Sequence, residues 1–416
     1  MSDHRKKPSV LILSKEGPGS GSGKALYRIH IAINKNNNFS SRFLAWEGTP
    51  DPKHQFFVNT NFLLNKVYTR LLNILNACIK RTYGPRPGFV FSHNLFPNLS
   101  VQSSSLIKEA DIIFLGWIGF GYLSIHQFRL FHGKKIIWRF SDVWPLSGGC
   151  HVSFGCDRFQ QGCHHCPQLY NVLWPDLAAI SWKIKQRVYQ SIEIKFIAPS
   201  RWMRDNAEKS LLSAGKEIHH IPTGVDLSIF RVMDKRDCRR RLNIDFPSTI
   251  LLFGSVNADE TSKGLSYVSE AINKLETKSA IRLVVFGEKG NKVFGGTPYP
   301  IQFLGRVEGD ENLASVYNTA DIFLAPYIDD NLPNTVIEAI ACGLPVVGFD
   351  SGGMSDLVEH QSNGYLATPR DSSDMAHGID WVIQNLDRIP FAETSRHRAL
   401  NFSLAEQVER IEEIMK

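Results

Sequence analysis

The chain has 416 residues, 43% of them hydrophobic and 21% charged, with a formal net charge of +6. That length exceeds one ordinary core and predicts two domains of about 200 residues each. No apolar run approaches the roughly 20 residues that span a bilayer, which excludes an integral helical membrane protein.

The apolar part of the N-terminus runs only from Val10 to Leu13, which reads as a buried strand and not as a signal peptide. A cytoplasmic protein with reduced thiols is therefore expected. The charge is uneven: residues 1–200 hold 24 Lys and Arg against 10 Asp and Glu, and the remainder 23 against 31. A basic first half predicts an anionic partner, either nucleic acid or the inner face of an anionic membrane.

In chain order, "SVLILS" (9–14) is the first strand, and "EGPGSGSGKALYRIH" turns from it into a helix over 24–36. The Walker pattern fails there, because Pro18 stands where Gly is needed and Ala25 replaces Ser or Thr. Gly19, Gly21 and Gly23 leave either a tight turn or a place where a ligand meets backbone N–H groups. "NFLLNKVYTRLLNILNACIKR" (61–81) lies within a helix expected over 60–80, with Lys66, Arg70, Lys80 and Arg81 off its apolar stripe. Such a helix either packs on a sheet or lies on anionic lipid. Strands are expected at 89–94, 110–118, 134–142 and 195–200, with a helix over 178–192.

"SGGCHVSFGCDRFQQGCHHCPQL" (147–169) spaces Cys150, Cys156, Cys163 and Cys166 as C-x5-C-x6-C-x2-C. Four thiolates could close a structural zinc shell, with His151, His164 or His165 as substitutes; a disulfide pair or free thiols are the alternatives. Cys78, Cys238 and Cys342 stand alone and read as packing residues.

A second series of strands follows at 248–256, 281–287, 301–307, 320–327 and 344–350, with helices near 264–277, 311–319, 333–342 and 372–386. Runs that are apolar on both faces, alternating with helices, predict an α/β chain of two doubly wound, Rossmann-like domains facing across a cleft. The division expected is 1–198, 199–385 and a helical segment over 386–416. In "YIDDNLPNTVIEAIACGLPVVGFDSGG" (327–353), Pro333 marks a helix start. The N–H groups of Asn334, Thr335 and Val336 then form a natural diphosphate site. On pattern alone, Asp330 is a loop acid and Glu338 a solvated helix residue.

That stretch resembles the signature of retaining glycosyltransferases of family 4, which have the GT-B fold: a carboxylate, seven residues, Glu, then "A-x-A-C-G-x-P-V-V". The resemblance extends to "SKGLSYVSEAI" (262–272), "FLGRVEGDENLASVYNTADIFLAPY" (303–327), "APSRWM" (198–203) and "IPTGVD" (221–226). The segment "WRFSDVWPLSGGCHVSFGCDRFQQGCHHCPQL" looks like a cysteine-bearing branch of bacterial exopolysaccharide, capsule and colanic-acid-type enzymes.

The resemblance implies sugar transfer from a UDP- or GDP-sugar to a saccharide or lipid-linked saccharide acceptor, with no cofactor needed for catalysis. It implies that Lys263 neutralises the departing diphosphate, Asp330 lies near the donor sugar and Glu338 holds the ribose hydroxyls. Gly21 and Gly23 would complete the phosphate cradle, and Asp142 and Trp144 would serve the acceptor side. The chain departs from the pattern at Ser255, where the family has Arg, so Arg306 is expected to share the phosphate load. Ser141 and Gly116 stand where His residues are expected. Those departures leave a degenerate nucleotide-sugar binder as the alternative. A zinc-containing nucleic-acid binder is the third reading.

Overall fold

β-Branched and aromatic runs make two separate parallel sheets. The structure is a computed structural model that describes residues 7–416 apart from 55, 59–69, 72–73, 76, 80, 97–100, 102–103, 171–175, 245–247, 258–260, 278, 289–293 and 295–296. It divides into one unit of Met1–Ile221 with Val408–Lys416, and a second of Pro222–Gln407.

The first unit holds β1 (Ser9–Ser14), β2 (Ser40–Ala45), β3 (Phe56–Val58), β4 (Ile112–Leu115), β5 (Lys135–Arg139), β6 (Lys195–Ala198) and β7 (Glu217–His220). Among the described residues they form a seven-stranded sheet in the order β3-β2-β1-β4-β5-β6-β7, every pair parallel. Val10, Leu11, Ile12 and Leu13 are all fully buried, as a strand covered on both faces requires. Helix α1 (Gly21–Asn36) follows β1, and α2 (Leu177–Ser191) precedes β6.

The second unit holds β8 (Thr249–Asn257), β9 (Ile281–Glu288), β10 (Ile301–Gly305), β11 (Ile322–Ala325), β12 (Val346–Phe349) and β13 (Gly364–Ala367), ordered β10-β9-β8-β11-β12-β13. The side-chain period of two divides them between two cores. Leu252, Phe323 and Val346 enter one core, while Leu251, Phe253, Ile322, Leu324 and Val347 enter the other. Helices α3 (Leu265–Ile272), α4 (Asp310–Tyr317) and α5 (Asn334–Ala341) belong to this unit, and α6 (Leu404–Met415) ends the chain.

Several expectations change. The segment 89–94 forms no strand of a sheet; Phe91 makes an isolated antiparallel bridge to Cys150. Strands β2, β3, β7 and β13 were not expected, being short or polar. The boundary falls at 221/222 and not at 198/199, because β7 pairs with β6 and keeps that stretch with the first sheet. The last nine residues also join the first unit. Asn36 and Asn38 donate to the Glu412 carboxylate at 3.3 and 2.6 Å, and Lys135 Nζ donates to Met415 O at 3.2 Å. The expected helix over 60–80 lies largely outside the described residues.

Candidate functional site

Doubly wound sheets take ligands at the carboxyl ends of their strands, where the strand order reverses. In the second unit that point lies between β8 and β11. The segment after β8 carries Lys263 and the loop after β11 carries Asp330, and the two meet: Lys263 Nζ lies 2.7 Å from Asp330 Oδ2. The loops are stitched by the Ile328 N–H donating to Ser262 O at 2.9 Å. Gly264, at φ +67°, lets them close, since a Cβ there would stand 2.0 Å from Pro326 O. Beneath the pair, Lys263 Nζ lies 5.2 Å from the Tyr327 ring centroid. Burial pushes the Tyr327 phenol up to about 12, against the opposing pull of Lys263. Its hydroxyl donates to Gly254 O at 3.2 Å and shares a 2.7 Å hydrogen bond with Thr335 Oγ1.

Thr335 lies in the first turn of α5, which begins after Pro333 with no side-chain cap. The first N–H groups of a helix have no acceptor within it, so the first turn of α5, Asn334 and Thr335 included, is its positive end. The Val336 N–H instead bonds to Pro333 O at 3.1 Å. Glu338 is not the solvated residue that pattern suggests: it is 1% exposed, and its Oε2 accepts from Tyr317 OH at 2.9 Å. Arg306 is half-exposed and faces Glu288 at 3.4 Å and Glu308 at 3.8 Å. Its charge is thus shared with two carboxylates.

In the first unit the order reverses between β1 and β4. Ser20 caps α1, its side chain accepting from the Gly23 N–H at 3.1 Å. That N–H is therefore spent within the turn. Gly23 is required sterically, since a Cβ there would meet Gly17 O at 1.9 Å. Gly21 opens the helix beside it.

Asp142, just after β5, is tied by three donors. Trp117 Nε1 reaches its Oδ2 at 2.7 Å, His151 Nδ1 the same oxygen at 2.6 Å, and the Trp144 N–H its Oδ1 at 2.8 Å. On the far side of the imidazole, Nε2 lies 2.8 Å from Ser92 Oγ. The ring stacks on Phe120 at 5.0 Å and on Trp144 at 6.2 Å. Both His151 nitrogens are engaged, so it is no substitute metal ligand. Sequence reasoning missed this network: an Asp and a His nine residues apart follow no helix or strand period.

The zinc expectation does not fit the residues. Cys150, Cys156, Cys163 and Cys166 are all free thiols. Among the described residues, no group of three or more His, Cys, Asp or Glu could hold a metal ion. Burial is the largest cause holding the Cys150 thiol well above its ordinary value and pushing Cys163 up to about 12, and the neighbouring cysteines push both in the same direction. The Gly148 N–H points at Cys163 Sγ from 3.1 Å. The loop is held by packing and by Lys185 of α2, whose Nζ donates to Trp144 O and, at 2.9 Å, to Ser147 O.

Residues 247–385 match the family described as "Glycosyl transferases group 1". The chain is 26% identical over 246 residues to a lipopolysaccharide 1,2-N-acetylglucosaminetransferase of Salmonella typhimurium, covering 54% of this chain and 62% of that protein. It is 29% identical over 184 residues to a D-inositol 3-phosphate glycosyltransferase of Stackebrandtia nassauensis, covering 40% and 41%. The chain thus spans less than two thirds of the length of these relatives. Among solved structures, Anabaena Alr3699/HepE in complex with UDP-glucose superposes with a TM-score of 0.65 at 16% identity, covering 98% of this chain and 99% of that one. WaaG, a glycosyltransferase involved in lipopolysaccharide biosynthesis, gives 0.64 at 16%, covering 98% and 99%. Over residues 247–385 the chain matches the model of the group 1 glycosyl transferases, and its two doubly wound sheets have the GT-B fold.

Proposed function

We propose that the protein is a retaining glycosyltransferase that moves a sugar from a nucleoside diphosphate sugar to a hydroxyl of a saccharide or lipid-linked saccharide in surface polysaccharide synthesis. The observation that carries this reading is the Lys263–Asp330 pair, 2.7 Å apart at the strand-order reversal. It stands on the loop that leads into the uncapped first turn of α5. As the bond from the anomeric carbon to the diphosphate breaks, negative charge grows on the phosphate oxygens. Lys263 and the N–H groups of Asn334 and Thr335 supply fixed positive potential for that charge. The acceptor oxygen bonds to the same face of the sugar, and its proton passes to the departing phosphate. Asp330 holds Lys263 and lies near the donor sugar. Glu338 reaches ribose hydroxyls only by turning from Tyr317. The acceptor belongs to the first unit, where Asp142 and Trp144 serve it.

The family match over 247–385 supports donor binding by the second unit, and the UDP-glucose complex of the Anabaena protein supports the donor class. The test is a thermal-shift screen with UDP-glucose, UDP-N-acetylglucosamine and GDP-mannose, since a ligand bound only by the folded state raises Tm. At least one donor should raise Tm, and Lys263→Met should lose that shift. A shift that survives Lys263→Met refutes the donor site. Donor binding without turnover across a broad acceptor panel identifies the degenerate alternative.

A second reading concerns location. No described helix is long and apolar enough to cross a membrane. Leu71, Ile74 and Leu75 are nevertheless 61%, 57% and 44% exposed, beside the exposed Arg70 and Arg81. Apolar side chains flanked by cations favour peripheral attachment to an anionic bilayer, where a lipid-linked acceptor would be met.

A further inference from the structure

Resting on that reading, we propose that His151 is a positioning residue of the acceptor side. With Trp117 it clamps Asp142, so that the carboxylate presents its remaining acceptor site to a saccharide hydroxyl. A carboxylate offers about four lone-pair sites. Three of Asp142's are taken by Trp117, His151 and the Trp144 N–H. The Asp142 side chain keeps 19% of its surface exposed, whereas that of His151 keeps 4%. The free site is on the carboxylate, and the imidazole stands behind it.

The tautomer follows from the partners. With Nδ1–H given to Asp142 Oδ2, the Trp117 indole N–H, 3.1 Å from Nδ1, is left to the carboxylate, and in the neutral ring Nε2 accepts from the Ser92 hydroxyl. The cysteine-bearing loop delivers this ring. His151 N–H donates to Val90 O at 3.1 Å and Ser92 N–H to Gly149 O at 2.8 Å, which lays 149–151 against 90–92. Gly119 closes over the ring, since a Cβ there would come within 2.6 Å of His151 Cε1. Phe120, stacked on the imidazole, is 43% exposed. A partly exposed aromatic ring, with Lys15 Nζ 5.6 Å from its centroid, beside a fixed hydroxyl acceptor suits a pyranose ring. The order Ser92–His151–Asp142 is also that of nucleophilic serine triads. Here, however, Ser92 is buried under Gly119, so the chain orients Asp142 and does not activate Ser92.

The test measures nucleotide release by the full-length protein, using whichever of the three sugar nucleotides it turns over, with a panel of octyl glycosides as acceptors. His151→Leu should raise acceptor KM about 10- to 100-fold and leave donor KM unchanged. Asp142→Asn should do the same, and the double variant should be no worse than Asp142→Asn alone, since both act through one carboxylate. His151→Asn, whose amide can donate where Nδ1–H does, should recover most of the loss. Ser92→Ala, which removes only the hydroxyl behind the imidazole, should raise acceptor KM by less than His151→Leu does and leave donor KM unchanged. Additive losses, a matching rise in donor KM, no recovery in His151→Asn or an inactive Ser92→Ala would each overturn the proposal. A wild-type protein without turnover refutes the transferase reading itself. The clamp is then read by proton NMR: a downfield Nδ1–H signal lost in both His151→Leu and Asp142→Asn supports it, and absence of that signal in the wild type overturns it.

Discussion

Replacing Lys185 by methionine removes an amine that the first unit buries completely. Its Nζ donates to Trp144 O and Ser147 O and lies 3.4 Å from the Trp144 ring centroid. Burial, the dominant cause, lowers its pKa from 10.5 to about 7. Between those values the unfolded chain holds a proton that the folded chain has released. Stability therefore rises with pH, at up to about 1.4 kcal/mol per pH unit. The contribution is complete above about 10.5 and is lost as pH falls towards 7. Across pH 7 to 9 the gain should total about 2–3 kcal/mol. The buried thiols act in the opposite sense at higher pH. Cys163, pushed up to about 12, keeps a proton when folded that the unfolded chain loses near 9. Subtracting Lys185→Met from the wild type cancels that background. The assay is urea unfolding of both proteins at pH 7, 8 and 9 in reductant, followed by tryptophan fluorescence. The wild type should gain about 2–3 kcal/mol relative to Lys185→Met over this range. A difference that stays flat would refute the reasoning, because it would mean that the amine keeps its water or its charge on folding.

Gly264→Ala places a Cβ 2.0 Å from Pro326 O at a φ of +67°. It should cost roughly 1–3 kcal/mol from the backbone alone. It should also part Lys263 from Asp330, so the donor-induced thermal shift should shrink along with Tm; an unchanged Tm contradicts the loop geometry. Vesicles of phosphatidylglycerol and phosphatidylcholine should carry the protein down on sedimentation, whereas phosphatidylcholine alone should not. Leu71→Asp with Ile74→Asp should abolish the pelleting. Equal pelleting with neutral and anionic vesicles contradicts the basic apolar surface.

Local pattern alone determined much of this protein. Short runs apolar on both faces, each followed by a helical period, gave two doubly wound sheets, since a strand covered by helices on both sides tolerates no other composition. The start of α5 was legible from Pro333, whereas Lys263 and Asp330 were singled out only by the family resemblance, since on pattern alone Asp330 reads as a loop acid. What the pattern could not supply is the partner of each side chain. Glu338 turns inward to Tyr317, a residue of another helix 21 positions earlier. The Gly23 N–H bonds to its own cap, and Arg306 stands beside two glutamates. The cysteine segment looked like a metal shell because spacing records only how far apart thiols are along the chain. In the folded chain it is a loop with Cys150 and Cys166 buried that seats His151 behind Asp142. That outcome depends on β5, the 90–92 segment and α2 meeting in space. Hydrogen bonds between such distant segments leave no period in the sequence, so only the folded structure decides them.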